Sequence, residues 1–180
     1  MNTVVIYKSR YGAAKKYAQW IAEELNCDIF ENKNLDIKNI LRYDTIICGG
    51  GLYAEMIAGI GFIKRNREKL KDKNIIIFST GLTPPDCKEY YEKMVPLKNF
   101  GKDGVPSNIK LFHFSGKMIE EELSLPHKTA IKSLKGIMSK KANPSDMEKL
   151  LIKLCDSFGD FTNRGEIIPL IDYVRNMDLL

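Results

Sequence analysis

Apolar and polar positions along the 180 residues follow two alternating rhythms. Residues 3–7 (TVVIY) are β-branched and apolar on both faces, the pattern of a parallel strand covered from both sides. Over residues 12–25 the apolar positions Ala14, Tyr17, Ala18, Ile21, Ala22 and Leu25 recur in steps of three and four, which places them on one helix face. Residues 28–31 read as a second, shorter strand. A brief helical or turn segment at 36–41 leads into a third strand at 45–48. A helix over about 59–70 precedes the strongest strand signal, NIIIF at 74–78. A fourth helix over 87–97 carries Tyr90, Tyr91, Met94 and Val95, with Asp86 as a candidate cap. Residues 109–114 form the fifth strand, and 167–177 the last helix, with Pro169 tolerated in its first turn.

Strands that alternate with helices predict βαβ units, a parallel sheet and helices on both faces. Right-handed crossovers leave few topologies. The one that suits five such strands is the doubly wound α/β order 2-1-3-4-5, which places ligands at the carboxyl edge beside the switch between strands one and three. The whole chain, 1–180, reads as a single domain.

Residues 117–163 depart from this rhythm. They contain Glu120-Glu121-Glu122, a break at Pro126, and a basic amphipathic stretch. In that stretch Ile131, Leu134, Ile137 and Met138 share a face, while Lys128, Lys132, Lys135, Lys140 and Lys141 fill much of the rest. Asn143-Pro144-Ser145 interrupts the pattern and 147–154 resumes it. The segment reads as a helical insertion between strand five and the last helix.

Composition narrows the class. Apolar residues make up 44% and charged residues 28%, which fits a globular chain and not a disordered one. No apolar run approaches the roughly 20 residues that span a bilayer. The start, residues 1–7, lacks the basic, apolar and small-residue regions of a signal peptide, which predicts a cytoplasmic protein. The four cysteines, Cys27, Cys48, Cys87 and Cys155, form no C-x-x-C pair, and with only two histidines metal-ligand spacing is missing. Cys48 lies in an apolar run and reads as a core residue. The net charge of +5 favours anionic partners such as phosphate groups, acidic proteins or an anionic membrane surface. No arginine-rich tail or recognition-helix pattern points to nucleic acid.

Candidate chemistry gathers in three loops that topology brings to one edge. Strand one ends in Ser9-Arg10-Tyr11-Gly12-Ala13-Ala14, strand three in Gly49-Gly50-Gly51-Leu52-Tyr53 followed by Ala54, and strand four in Ser79-Thr80-Gly81-Leu82-Thr83. The first loop opens helix one, where free N–H groups and the positive end of the dipole favour an anion. Ser9 can donate a hydroxyl, Gly12 permits close approach, and Lys15 and Lys16 add charge. A tight βα turn capped by Ser9 explains the same residues. The glycines permit backbone conformations denied to other residues, so a peptide there can reorient against a flat ring beside Tyr53; a merely flexible turn is the alternative. The third loop offers hydroxyls and amides to a polar ring edge, and Pro84-Pro85 stiffens its exit.

Other sites are excluded. G-x-G-x-x-G does not follow strand one, and no glycine loop ends in G-K-[ST]. A phosphoryl-accepting receiver needs acidic residues where Tyr7-Lys8 stands. His113 reads as a strand residue packed beside Phe112 and Phe114, and His127 as a loop residue, so no catalytic side chain is named.

With these loops placed, the chain resembles the flavodoxin domain family, most closely its branch containing menaquinone-dependent protoporphyrinogen IX dehydrogenase. The resemblance rests on YKSRYGAAKKYAQWIAEEL at 7–25, DTIICGGGLYAEMI at 44–57, IIIFSTGL at 75–82 and FTNRGEIIPLIDYV at 161–174. It implies a flavodoxin-like fold and non-covalent FMN. The phosphate would lie on Ser9, Arg10, Tyr11, Gly12, Ala13 and Ala14. The ring would lie between Gly50, Gly51, Leu52, Tyr53 and Ala54 on one side and Ser79, Thr80, Gly81, Leu82 and Thr83 on the other.

The resemblance also implies redox chemistry with a partner protein or with a small-molecule or quinone acceptor, and the basic insertion offers a peripheral membrane contact. Three departures stand out. Ala13 and Ala14 occupy positions where threonine is usual, which predicts weaker FMN binding. Gly51 replaces a frequent serine. The insertion is rich in lysine where the dehydrogenase has arginine and tyrosine. A flavodoxin-type electron carrier and a binding domain without FMN are the alternatives.

Overall fold

The computed structural model describes residues 2–177. Strand β1 (Thr3–Lys8) leads through a turn at Gly12 into α1 (Ala13–Leu25), which closes on a left-handed Asn26. Then follow β2 (Asp28–Glu31), the short α2 (Ile37–Ile40), β3 (Thr45–Tyr53) and β4 (Met56–Ile57). After α3 (Gly61–Arg65) and β5 (Asn74–Gly81) comes a π-helical turn, Glu89–Met94, that continues into α4 (Val95–Phe100). The remaining elements are β6 (Ile109–Ser115), β7 (Lys117–Met118), α5 (Leu125–Ser139), α6 (Asp146–Leu154), β8 (Gly159–Asp160) and α7 (Ile168–Met177).

Five strands pair in parallel in the order β2-β1-β3-β5-β6. Counted without the added hairpin strand β4, this is the predicted doubly wound order. Strand alternation divides the core into two layers. Val4, Ile6, Ile46, Cys48, Ile75 and Ile77 pack against α3 and the π/α4 segment. Val5, Ile47, Ile76 and Phe78 face α1 and α7 through Tyr17, Ala18, Ile21, Leu170 and Val174. Burial pushes the Cys48 thiol up to about 12, so it is an inert core group.

Two expectations about boundaries are corrected. Strand three continues past Cys48 to Tyr53, so Gly49–Gly51 is strand and not loop, with Gly49 and Gly50 paired to both β1 and β5. None of the three has a positive φ. The glycines answer to space instead. A Cβ on Gly49 would lie 1.9 Å from the Phe78 ring, and one on Gly50 1.9 Å from the Ala58 carbonyl oxygen. The expected helix four is also displaced, ending at Phe100 and starting as a π turn. Its N-terminal Lys88 carries no side-chain cap, so Asp86 does not serve as one.

His113 points away from Phe112 and Phe114, as alternation on β6 requires. It stacks on Tyr91 with centroids 4.0 Å apart, and its Nδ1 lies 2.7 Å from Ser79 Oγ on the neighbouring strand. Burial pushes its pKa down to about 4.

The insertion folds as two helices. Ser145 and Glu148 form a reciprocal capping box at the start of α6, and Lys135 pairs with Asp156 at 2.6 Å, tying α5 to the end of α6. Pro126 does not break a helix but sits in the first turn of α5, where its missing N–H costs nothing. No helix among the described residues is long and apolar enough to cross a membrane.

Substituting Gly49→Ala is expected to destabilise the fold by about 1–3 kcal/mol, with partial recovery by Phe78→Leu, because the obstacle is a side chain. Gly50→Ala meets backbone, and no neighbouring substitution restores it; urea titration reads both. For His113 the unfolded chain binds more protons than the folded one between about pH 6.5 and 4. The stability it contributes is present above pH 6.5 and is lost as pH falls, up to about 3 kcal/mol. Denaturation across that window is expected to show a shallower fall for His113→Gln.

Candidate functional site

Strands β1, β3 and β5 run in register, so their carboxyl ends open onto one edge, and there a cleft of about 420 Å³ forms. Pockets of this size suit small-molecule ligands. The first loop contributes Ser9, Tyr11, Ala13 and Ala14 to its lining, the end of β3 contributes Gly51, Leu52, Tyr53 and Ala54, and the end of β5 contributes Thr80, Gly81, Leu82 and Thr83. Twelve of the sixteen residues singled out in the sequence therefore meet at one site.

The other four stand aside for identifiable reasons. Gly50 is walled off by Ala58. Ser79 is fully buried and bonded to His113. Arg10 turns outward and donates from Nη2 to Ser124 Oγ at 3.1 Å. Gly12 lies at the N-cap of α1 with φ 91°, a left-handed conformation that glycine adopts without penalty.

The first loop has the geometry of an anion cradle. The Gly12 amide donates to Ser9 Oγ at 3.1 Å, closing the turn. Helix α1 has no side-chain cap and no acidic residue in its first turn. The first amides of a helix lack intrahelical acceptors, so this end presents unspent donors and a positive dipole. Lys16 does not add to it: its Nζ is held by Asp160 Oδ2 at 3.2 Å and Thr162 Oγ1 at 2.7 Å.

At the mouth, Tyr11 Oη lies 2.7 Å from His127 Nδ1, and the Tyr53 ring lies 5.3 Å from the His127 ring. Partial burial and the Arg10 charge hold His127 below its usual pKa. Burial raises Tyr53 and pushes Tyr90 up to about 12, so both phenols stay neutral. Among the described residues the lining contains no carboxylate and one lysine, Lys117, which is paired with Glu122 at 2.8 Å. Among the described residues no cluster could hold a metal ion.

Several lining residues lie outside the three loops: Tyr90 from the π turn, the Gly116–Met118 segment, His127, and the apolar side chains Ala130, Ile131, Leu134, Leu151 and Leu154. His127 is helical and not in a loop. Ser124-Leu125-Pro126 is a helix-start signature that places it there. The insertion is thus one wall of the cleft, not an appendage. Glu166 braces this edge from behind: its carboxylate accepts from the Ser115 amide (2.7 Å), Ser115 Oγ (2.6 Å) and Tyr17 Oη (2.8 Å).

Comparison with curated proteins finds no match. Among solved structures, the chain is similar to a WrbA-like flavodoxin from Agrobacterium tumefaciens at 17% identity, covering 97% of this chain and 98% of that one with a TM-score of 0.47. It is similar also to oxidised flavodoxin 2 from Bacillus cereus at 17% identity, covering 68% and 90% with a TM-score of 0.42. A Fusobacterium nucleatum flavodoxin bound to flavin mononucleotide matches at 17% identity, covering 64% and 72% with a TM-score of 0.36. The family model for the flavodoxin domain matches residues 4–146, from the first strand into the insertion. The chain belongs to the flavodoxin domain family.

Proposed function

We propose that the cleft binds FMN non-covalently and that the chain is an FMN-dependent oxidoreductase. The observation that carries this reading is the convergence, at one cleft with no carboxylate in its described lining, of an uncapped helix start with the ends of two neighbouring strands. The Ser9–Ala14 turn would hold the phosphate through first-turn amides and the Ser9 hydroxyl. Gly51–Ala54 and Thr80–Thr83 would hold the two edges of the ring, with Tyr53 against it. When bound, the flavin supplies the electron transfer; the chain binds it, orients it and limits water around it.

An enzyme acting on a small apolar molecule is favoured over a plain electron carrier by the insertion wall. Ala130, Ile131, Leu134, Leu151 and Leu154 extend the lining beyond what the loops provide. A carrier that passes electrons to a protein through an exposed ring edge has no use for a walled apolar space. A quinone acceptor, and the protoporphyrinogen chemistry of the branch the sequence resembles, both fit such a wall. Lys135 and Lys141 are engaged by Asp156 and Glu148, so Lys128, Lys132 and Lys140 remain for an anionic surface or partner.

Titration with FMN, followed by flavin fluorescence and the visible spectrum, is expected to give saturable one-to-one binding, with riboflavin binding more weakly for lack of the phosphate. Equal affinities for the two would count against the cradle. Ala13→Ser adds a hydroxyl at a lining position beside those amides. It is expected to tighten FMN by about tenfold, the value of one hydrogen bond to a charged group, and to leave riboflavin unchanged. With FMN loaded and reduced, reoxidation by menadione under anaerobic conditions is expected to saturate with quinone. Reoxidation that stays linear in quinone, or that needs a protein partner, would select the carrier.

A further inference from the structure

Four non-glycine residues among those described have positive φ. Asn26 and Asn34 are of the type that tolerates it. Ala54 (φ 46°) and Glu55 (φ 62°) are not, and they stand side by side in the two-residue turn joining β3 to β4. Two successive positive φ values mark a type I′ turn, which ordinarily calls for Asn-Gly. This turn carries Tyr53 and Ala54 into the cleft, so the strain lies at the site itself.

The turn is gripped from behind by Asn99 on α4, a fully buried side chain that does not line the cleft. Its Oδ1 accepts from the Ile57 amide at 3.0 Å, and its Nδ2 donates to the Glu55 carbonyl at 2.7 Å and to the Val95 carbonyl at 2.8 Å. One amide therefore spans the turn's exit and ties it to a helix. The Asn99 carbonyl in turn accepts from Lys64 Nζ at 2.6 Å. The same helical segment holds the opposite edge of the cleft, since Tyr91 Oη in the π turn donates to the Thr83 carbonyl at 2.7 Å.

We infer that Asn99 is a positioning residue for the ligand: it holds a strained turn in the one conformation that aims Tyr53 and Ala54 into the cleft. The inference rests on the flavin reading only for the identity of the ligand. Without Asn99, the Glu55 carbonyl and Ile57 amide lose their partner and the turn relaxes out of the left-handed region, so the ring loses one edge while the phosphate cradle on α1 is untouched. With glycine at 54 and 55 the turn needs no external grip.

The test is a cycle of variants read by binding and by hydrogen exchange. Asn99→Ala is expected to weaken FMN and lumiflavin by the same factor, about tenfold or more, because the loss falls on the ring and not on the phosphate. In the ligand-free chain the Ala58 amide, bonded to the Gly51 carbonyl at 2.9 Å, is expected to exchange at least about tenfold faster. In an Ala54→Gly/Glu55→Gly background, Asn99→Ala is expected to cost less than about threefold in either ligand. That background also supplies the answer where the single variant fails to fold.

The inference is overturned if Asn99→Ala leaves lumiflavin binding and Ala58 exchange unchanged, or if its cost is as large in the glycine background. Failure of the flavin reading looks different: the unsubstituted chain would then show no saturable binding, while the exchange measurement would still report whether Asn99 holds the turn.

Discussion

The cleft depends on one constraint, the room available at the carboxyl end of β3. The strand must pass between Phe78 on β5 and the Ala58 carbonyl on the returning chain, and at Gly49 and Gly50 each neighbour comes within 1.9 Å of where a Cβ would stand. Only with side chains absent there can β3 stay paired to both β1 and β5 as far as the cleft. A bulkier residue would push the sheet apart where the three loops must meet. The two glycines are therefore packing residues first, and the cleft exists because they let three strands finish together.

Much of this was legible in the sequence, and the rest was hidden for physical reasons. The buried strands announced themselves because parallel strands covered on both faces read as continuous apolar runs, and α1 because its core face repeats at helical spacing. The triple glycine misled, because the same residue type serves both backbone freedom and close approach, and sequence alone cannot tell which neighbour is near. Asn99 was invisible: a buried amide bonded to a turn over forty residues away leaves no periodic trace. The hairpin itself carries no turn signal, since Ala54-Glu55 is a poor type I′ pair.

The insertion shows how a charge pattern can draw attention from a packing role. Its lysines stand out in the sequence, yet Lys135 and Lys141 are neutralised by Asp156 and Glu148 within the insertion itself. What the insertion gives the cleft is a row of aliphatic side chains and the ring of His127, which joins Tyr11 across the mouth. Reading Pro126 as a break hid this, because a proline in the first turn of a helix is a start and not an interruption. With α5 placed correctly, the apolar face divides between the interior, where Met138 is buried, the cleft, where Ile131 and Leu134 lie, and solvent, to which Ile137 is exposed.

The start of α1 gives the last step. A helix cap from Ser, Thr, Asp or Asn contributes about 1 kcal/mol over alanine but only a few tenths over glycine, and an acidic residue in the first turn adds about 0.3–1 kcal/mol. Here both are missing at the longest helix packed on the sheet core, and Gly12 occupies the cap with no side chain to offer. Side-chain caps stand on α2, from Asp36, and on α6, from the Ser145–Glu148 box, whereas α3, α4 and α5 begin without one, as α1 does. The open donors of α1 lie beside the cleft, whose lining includes Ala13 and Ala14. An anion seated there would complete the helix, so its binding free energy and the stability of the fold are linked by mass action. A ligand carrying negative charge at that end would add to the fold the stability that a side-chain cap and an acidic first turn supply in other helices.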